Sequence, residues 1–261
     1  PYALLVLTMV FYYRIDAVML DIMLIDGERQ VAIYAQAYRF MDAFNQFGVL
    51  FAGLLLPMFA FLIKDNKTVA PLVKLSFSLL FVLSVTIAGF MFYHAREVMD
   101  LLYDFDTQFS SNVLIVLMFC YVFIATSYIF GTLLTANGSL KLLNKIAVVG
   151  LVINVALNFW LIPQHHAVGA AIASLATQAV IIIAQVIVSK NIFNFKLDVS
   201  FLVRISLFAL IIFAAFFAFK QLQLSLLIHL LIAATVGLIV GLLLKVIDLK
   251  GIWLILKNKV E

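Results

Sequence analysis

Residues 3–24 read ALLVLTMVFYYRIDAVMLDIML. This stretch is apolar and long enough to cross a bilayer, which requires about 20 residues, yet it contains Arg14, Asp16 and Asp21. A charged side chain at the centre of a membrane costs roughly 2.5–3.5 kcal/mol on insertion scales, so such residues usually face a bundle interior or a water-filled cavity. The stretch therefore predicts a membrane helix that lines a transport route, rather than one that faces only lipid.

The composition of the whole chain also indicates an integral membrane protein. Of its 261 residues, 66% are hydrophobic and 11% are charged, and the mean hydropathy is +1.19. Soluble domains are about half apolar and about one quarter charged. The single cysteine, Cys120, lies in an apolar run and excludes a disulfide framework or a thiolate metal cluster. The net charge of +4 is too small and too dispersed to predict a nucleic-acid partner.

Sequence motifs for enzymatic chemistry are missing from the chain. It contains no HExxH, Walker, GxSxG or GxGxxG motif, so we expect neither catalytic activity nor a bound cofactor. The chain begins at Pro1, inside an apolar run and without the features of a signal peptide. We therefore expect a fragment that lacks an N-terminal part.

Eight apolar segments predict an all-α membrane fold with eight transmembrane helices. Short connections with turn-forming residues, such as IDGER and KDNKT, separate them. The longest connection, 94–109, is expected to form a short surface helix. The predicted spans are approximately 3–25, 40–63, 69–93, 110–136, 142–162, 167–189, 201–219 and 225–245.

The distribution of basic residues predicts the orientation of these spans. Cytoplasmic loops of membrane proteins carry an excess of Lys and Arg. Twelve basic residues fall on one side of the predicted spans: Lys64, Lys67, Lys74, Lys141, Lys145, Lys190, Lys196, Arg204, Lys245, Lys250, Lys257 and Lys259. Four fall on the other side: Arg29, Arg39, Arg96 and Lys220. We therefore expect both chain ends to be cytoplasmic.

The C-terminal tail, 246–261, is too short to span a bilayer. Its Trp253 and flanking lysines are typical of a helix that lies in the membrane interface. A mobile cytoplasmic tail is the alternative.

The charged residues of the first span have two interpretations. Arg14 and Asp21 are seven residues apart and share one helix face, whereas Asp16 lies nearly opposite Arg14. In the functional interpretation, Arg14 holds an anionic group and an aspartate couples to a cation. In the structural alternative, Arg14 pairs with a carboxylate and locks two helices together.

The second span has a polar face near its start. A helix over residues 31–63 would be about 50 Å long at 1.5 Å per residue, longer than the bilayer core is thick. Arg39, Asp42 and Gln46 share one face of this helix, and Asn45 flanks it. The face is expected to line a vestibule, or to be a hydrated helix end with an Arg39–Asp42 pair.

Amide side chains in the later spans are interpreted as helix-packing residues. Asn154 and Asn158 are four residues apart on one face of the fifth span, and Gln178 lies in the sixth. Amides within a bilayer seek partners on neighbouring helices. The adjacent His165 and His166 are expected to be solvated, because no third metal ligand is evident near them.

Two stretches resemble a known family. Residues 14–60 read RIDAVMLDIMLIDGERQVAIYAQAYRFMDAFNQFGVLFAGLLLPMFA, and residues 131–178 read GTLLTANGSLKLLNKIAVVGLVINVALNFWLIPQHHAVGAAIASLATQ. They resemble the C-terminal half of Wzx-type polysaccharide flippases (O-antigen and capsule). These are MATE-like members of the multidrug/oligosaccharidyl-lipid/polysaccharide exporter superfamily.

The resemblance implies a fold of two six-helix lobes around a central cavity. The chain would be the C-lobe (1–190), two additional transmembrane helices (191–245) and a cytoplasmic interfacial tail (246–261). Its partners would be the missing N-terminal lobe, membrane lipids and the transported lipid.

The resemblance also implies a transport activity. Such proteins flip oligosaccharides on undecaprenyl pyrophosphate from the cytoplasmic to the periplasmic leaflet of the bacterial inner membrane. They serve polysaccharide biosynthesis, including that of lipopolysaccharide, by alternating access, and some couple to H⁺ or Na⁺. Arg14 would suit the pyrophosphate.

Three other functions compete with flipping. A cation-coupled multidrug antiporter of the same superfamily would suit acidic cavity residues, although Arg14 argues against it. A membrane-embedded glycan polymerase or transferase would usually have a larger outer loop. A scaffold without transport activity would not need charged residues at membrane depth.

Overall fold

The computed structural model describes residues 14–195, 198–222 and 224–247. Within these residues the chain is helical, with short connecting turns. Helix α1 occupies 14–23. It is followed by α2 (Gly27–Lys64), α3 (Ala70–Leu102), α4 (Thr107–Ala136), α5 (Leu140–Phe193), α6 (Val199–Lys220) and α7 (Leu226–Leu243).

Six of these helices, α2 to α7, are long and apolar enough to cross a membrane. The prediction of an all-α membrane fold is therefore confirmed for the described residues. The predicted spans 142–162 and 167–189 both fall within α5, which contains non-helical backbone at His166 (φ 53°, ψ −134°). We refer to its two parts as α5a (140–165) and α5b (167–193). A total of eight membrane-crossing helices, and the division at residue 190, remain predictions.

The connection after the third span differs from the prediction. We expected a separate surface helix within 94–109, but α3 continues to Leu102 and α4 begins at Thr107. Side-chain pairs one turn apart support the extension, since Arg96 Nε donates to Asp100 Oδ2 at 2.7 Å. An interfacial helix was predicted for the tail 246–261, of which residues 248–261 lie outside the described residues.

Helix α4 is the central element and packs against α2, α3 and α5. Its Leu114, Leu117, Met118 and Tyr121 are completely buried. A helix that is apolar on all sides is typical of such a central position. Helices α6 and α7 contact each other and α3, and Phe208 of α6 is fully buried there.

The break in α5 brings α5a and α5b together and joins them to the start of α2. A Cβ on Gly169 would overlap the carbonyl oxygen of Leu161, so the two backbones approach more closely than a larger residue would permit. Gln30 Oε1 accepts a hydrogen bond from the backbone N–H of Ala167 at 3.3 Å. His165 and His166 are exposed at this break, as predicted.

Candidate functional site

The carboxylate of Asp16 is buried at the junction of three helices, with 2% of the residue exposed. Its Oδ2 accepts hydrogen bonds from the hydroxyl of Tyr34 at 2.8 Å and from that of Ser174 at 2.5 Å. Its Oδ1 accepts one from Nδ2 of Asn158 at 2.6 Å. Residues from α1, α2, α5a and α5b therefore meet at a single carboxylate.

Asn154 extends this network. Asn158 Nδ2 also donates to Asn154 Oδ1 at 3.2 Å, and Asn154 Nδ2 donates to Ser174 Oγ at 3.4 Å. Both asparagines are completely buried. Together with Asp16, Tyr34 and Ser174 they form what we call the Asp16 cluster.

The groups that surround Asp16 carry no positive charge. Tyrosine, serine and asparagine are neutral donors, and Asp16 belongs to no ion pair within the described part of the chain. Neutral hydrogen bonds alone compensate poorly for burying an ionised carboxylate. A bound small cation would therefore stabilise the ionised form of Asp16, whereas the protonated form would need none.

The cluster contains an oxygen atom that could contact such a cation, since Asn158 Oδ1 is buried and has no hydrogen-bond partner among the described residues. Outside the cluster, three residues beyond Ser174 on α5b, Thr177 Oγ1 is also buried without such a partner. Carboxylate, amide and hydroxyl oxygens are the ligand types that hard cations prefer. The described residues hold no group of three His, Cys, Asp or Glu side chains suited to a metal ion.

The other residues predicted to line a cavity lie apart from this cluster. Arg14, Asp21, Arg39, Asp42 and Gln46 are exposed, and Asn45 is half-buried. The exposure of Arg14 and Asp21 and the burial of Asp16 agree with the helix faces predicted for them.

Arg14 interacts electrostatically with Asp42, but the two form no ion pair. The predicted alternative of an Arg39–Asp42 pair is not observed, since no ion pair joins these two described residues. The amide of Gln46 donates to the backbone carbonyl of Asp42 at 3.4 Å. We refer to Arg14, Arg39, Asp42 and Gln46 as the α1–α2 polar face.

Tyr34 and Ser174 were not identified from the sequence, and Asn154 and Asn158 were interpreted only as packing residues. The available signal was weak. Tyr34 lies in IYAQAYR and Ser174 closes GAAIAS, and hydroxyls in such apolar runs are common. Gln178 is buried one turn beyond Ser174 and takes part in none of the hydrogen bonds of the Asp16 cluster.

An ion pair joins the first turn of α2 to the residue that directly precedes α4. Arg29 donates to both carboxylate oxygens of Asp106, from Nε at 2.6 Å and from Nη2 at 2.9 Å. The guanidinium lowers the pKa of Asp106 below its ordinary value. This bidentate pair lies at the helix ends and contributes to the fold rather than to the buried cluster.

Comparison with known proteins identifies the fold. No family model matches the chain, and no curated protein sequence matches it. The chain is similar to a solved structure of the lipid II flippase MurJ in an inward closed conformation, with a TM-score of 0.74 and 16% sequence identity. The similarity covers 92% of this chain and 51% of that structure, so the chain spans about half the length of the flippase. The chain therefore has the fold of about half of a MurJ-like membrane protein.

Proposed function

We propose that this chain is part of a membrane transporter that flips a lipid-linked oligosaccharide by alternating access. The substrate would be a glycan on undecaprenyl pyrophosphate, moved from the cytoplasmic to the periplasmic leaflet for polysaccharide biosynthesis, as in Wzx-type flippases. The observation that carries this proposal is the α1–α2 polar face, where arginines are exposed on helices of a flippase-like fold. The similar structure, MurJ, is named a lipid II flippase, and this supports a lipid-linked substrate for the present chain.

The chemistry of the polar face suits a pyrophosphate. An arginine guanidinium can form two parallel hydrogen bonds with a phosphate group. Arg14 and Asp42 interact electrostatically without forming an ion pair, so an anionic headgroup would compete with Asp42 for Arg14. A headgroup would drive alternating access only if it bound one conformation more tightly than the other.

The Asp16 cluster would bind the coupling ion, either H⁺ or Na⁺. Its oxygens come from α1, α2 and both parts of α5, so binding a cation would draw these helices together. Releasing it would loosen the same junction. The cluster would therefore connect ion binding to the rearrangement of the helices that bear the polar face.

The topology that we propose follows the resemblance to Wzx-type flippases and the distribution of basic residues. Residues 1–190 would form the C-lobe, facing an N-terminal lobe of the same protein, with both chain ends in the cytoplasm. Residues 191–245 would add two further helices, followed by the cytoplasmic tail.

A cation-coupled multidrug antiporter is the second candidate. The Asp16 cluster favours it, because a buried carboxylate with neutral partners suits proton or sodium exchange for a drug. It predicts drug efflux that depends on Asp16 and is insensitive to Arg14.

Complementation distinguishes the two functions. The protein, expressed with all its native flanking sequence, would be tested in bacteria that lack their own glycan flippase. Surface polysaccharide would be compared for wild type, Arg14→Ala and the control Arg96→Ala, at matched membrane levels. Arg96 is a suitable control because it is exposed and its partners, Asp100 and Gln108, lie outside the α1–α2 polar face.

We expect restored surface polysaccharide with wild type and with Arg96→Ala, and none with Arg14→Ala. Rescue by all three proteins would overturn the role of Arg14. Failure of all three, together with Asp16-dependent drug efflux, would support the antiporter instead.

A further inference from the structure

Helix α5b carries buried polar atoms that have no partner among the described residues. They are Thr177 Oγ1, Gln185 Oε1 and Ser189 Oγ, and these residues are 0%, 7% and 0% exposed. A polar group buried without a hydrogen bond is costly, and most of all in a membrane, where lipid cannot replace the missing partner. Three such atoms on one helix call for a polar ligand such as water or an ion.

Gln185 and Ser189 continue a line of polar residues that begins at Ser174 of the Asp16 cluster. At 100° per residue, Ser174, Gln178, Gln185 and Ser189 fall within about 60° of one another around α5b. At 1.5 Å per residue they extend over about 22 Å. We call these four residues the α5b polar stripe. All four are buried.

The stripe faces protein rather than lipid. Gln185 Nε2 is 3.7 Å from the position that a Cβ on Gly131 of α4 would occupy. Next to the stripe, Ile181 packs so closely on Gly150 of α5a that a Cβ there would approach its Cδ1 to 2.7 Å. Gly131 therefore lets α4 approach the stripe at Gln185, and Gly150 lets α5a pack beside it at Ile181.

We infer that the α5b polar stripe is the path by which the coupling cation, with water, moves between the Asp16 cluster and the Ser189 end of α5b. That end is followed directly by Lys190, on the side predicted to be cytoplasmic. The inference rests on the proposed role of Asp16 as the cation site. It adds the route and the side from which that site is reached.

The stripe has an apolar step between Gln178 and Gln185. Ile181 and Ile182 occupy this interval, and Ile182 is 7% exposed. In this conformation the step separates the cluster from the Ser189 end. A transporter that works by alternating access needs such a closed segment, since a path open at both ends would leak ions.

Thiol accessibility tests the path without measuring transport. In a Cys120→Ala background, single cysteines would replace Gln185, Ile129 and Ile187 in the protein with its native flanking sequence. Ile129 of α4 is a fully buried apolar control, and Ile187 is an exposed apolar control on α5b. A small charged methanethiosulfonate reagent would be added to inside-out membrane vesicles.

We expect Gln185→Cys to react at least tenfold faster than both controls, because water reaches position 185 from the lysine-rich side. Ile187 lies about 200° around α5b from Gln185, so its face would contact lipid, where the charged reagent does not enter. Thr177→Cys, beyond the apolar step, should react slowly and should become faster with Ile181→Ala. Reaction of Gln185→Cys no faster than Ile129→Cys would overturn the path.

A second measurement separates this inference from the proposed function. Thermal unfolding with and without Na⁺, and at different pH, would be compared for wild type, Gln185→Leu and Asp16→Asn. We expect Gln185→Leu to retain the stabilisation by cation at equilibrium while cation-dependent transport slows. Stabilisation that persists in Asp16→Asn would refute Asp16 as the cation site, whereas an unreactive Gln185→Cys would refute only the path.

Discussion

The hydroxyl of Ser174 donates a 2.5 Å hydrogen bond to the carboxylate of Asp16, a residue 158 positions earlier in the chain. The bond joins α1 to α5b at a point that is buried from solvent. Since Asn158 of α5a donates to the same carboxylate, Asp16 is hydrogen-bonded to both α5a and α5b. The consequences of changing this carboxylate can therefore be predicted for stability as well as for transport.

Replacing Asp16 with alanine should lower stability. The change removes the acceptor of three hydrogen bonds, from Tyr34, Ser174 and Asn158. At about 0.6 kcal/mol for each polar contact between membrane helices, the loss is about 2 kcal/mol when Asp16 is protonated or holds a cation, because the wild type then buries no uncompensated charge. Asp16→Asn should cost less, because an amide oxygen still accepts. Thermal unfolding in detergent would measure both variants, and equal stability of Asp16→Ala and wild type would contradict the network.

Ser174→Ala and Thr177→Val form a matched pair, because each change removes a hydroxyl and keeps the rest of the side chain nearly the same size. Ser174 donates to Asp16, whereas Thr177 Oγ1 has no partner among the described residues. Without added cation, Ser174→Ala should destabilise the protein, and Thr177→Val should be neutral or slightly stabilising because it removes an unsatisfied hydroxyl. Thermal unfolding in cation-depleted buffer measures both variants. A larger loss for Thr177→Val would show that its hydroxyl has a ligand.

The Arg29–Asp106 pair predicts a pH dependence. The pair lowers the pKa of Asp106 from its ordinary value of 3.8. Its stabilising effect is therefore fully present above pH 3.8 and is lost as the pH falls through the lower folded value. Arg29→Gln should reduce stability at neutral pH and lose this acid-side dependence. Stability of both proteins would be measured from pH 7 to pH 2, and parallel curves would contradict the prediction.

Gly169 and Gly53 test the close approach at the helix break. A Cβ on Gly169 would overlap the carbonyl of Leu161, whereas nothing lies within 4 Å of a Cβ on Gly53. Gly169→Ala should cost roughly 1–3 kcal/mol, as overpacking usually does. Gly53→Ala should be neutral or should stabilise α2 by up to about 1 kcal/mol through helix propensity. Equal unfolding temperatures of the two variants would show that the break tolerates a side chain.

Several features of the fold follow from local sequence and were predictable. A membrane helix requires only a sufficiently long apolar run, so the segments of α2 to α7 could be located from hydropathy. The exposure of Arg39, Asp42 and Gln46 on one side of α2 follows from helical periodicity. The same periodicity placed Arg14 and Asp16 on different faces of α1.

The composition of the Asp16 cluster could not be derived in this way. Its members lie on α1, α2, α5a and α5b. They come into contact because the backbone is non-helical at His166 and the two parts of α5 approach closely at Gly169. Periodicity assigns a residue to a face of its own helix but not to a partner on another helix. Sequence therefore determined which segments are membrane helices and which faces are polar. Only the packing of those helices decided that Tyr34, Asn158 and Ser174 surround Asp16, because contacts between distant residues depend on how every helix between them turns and packs.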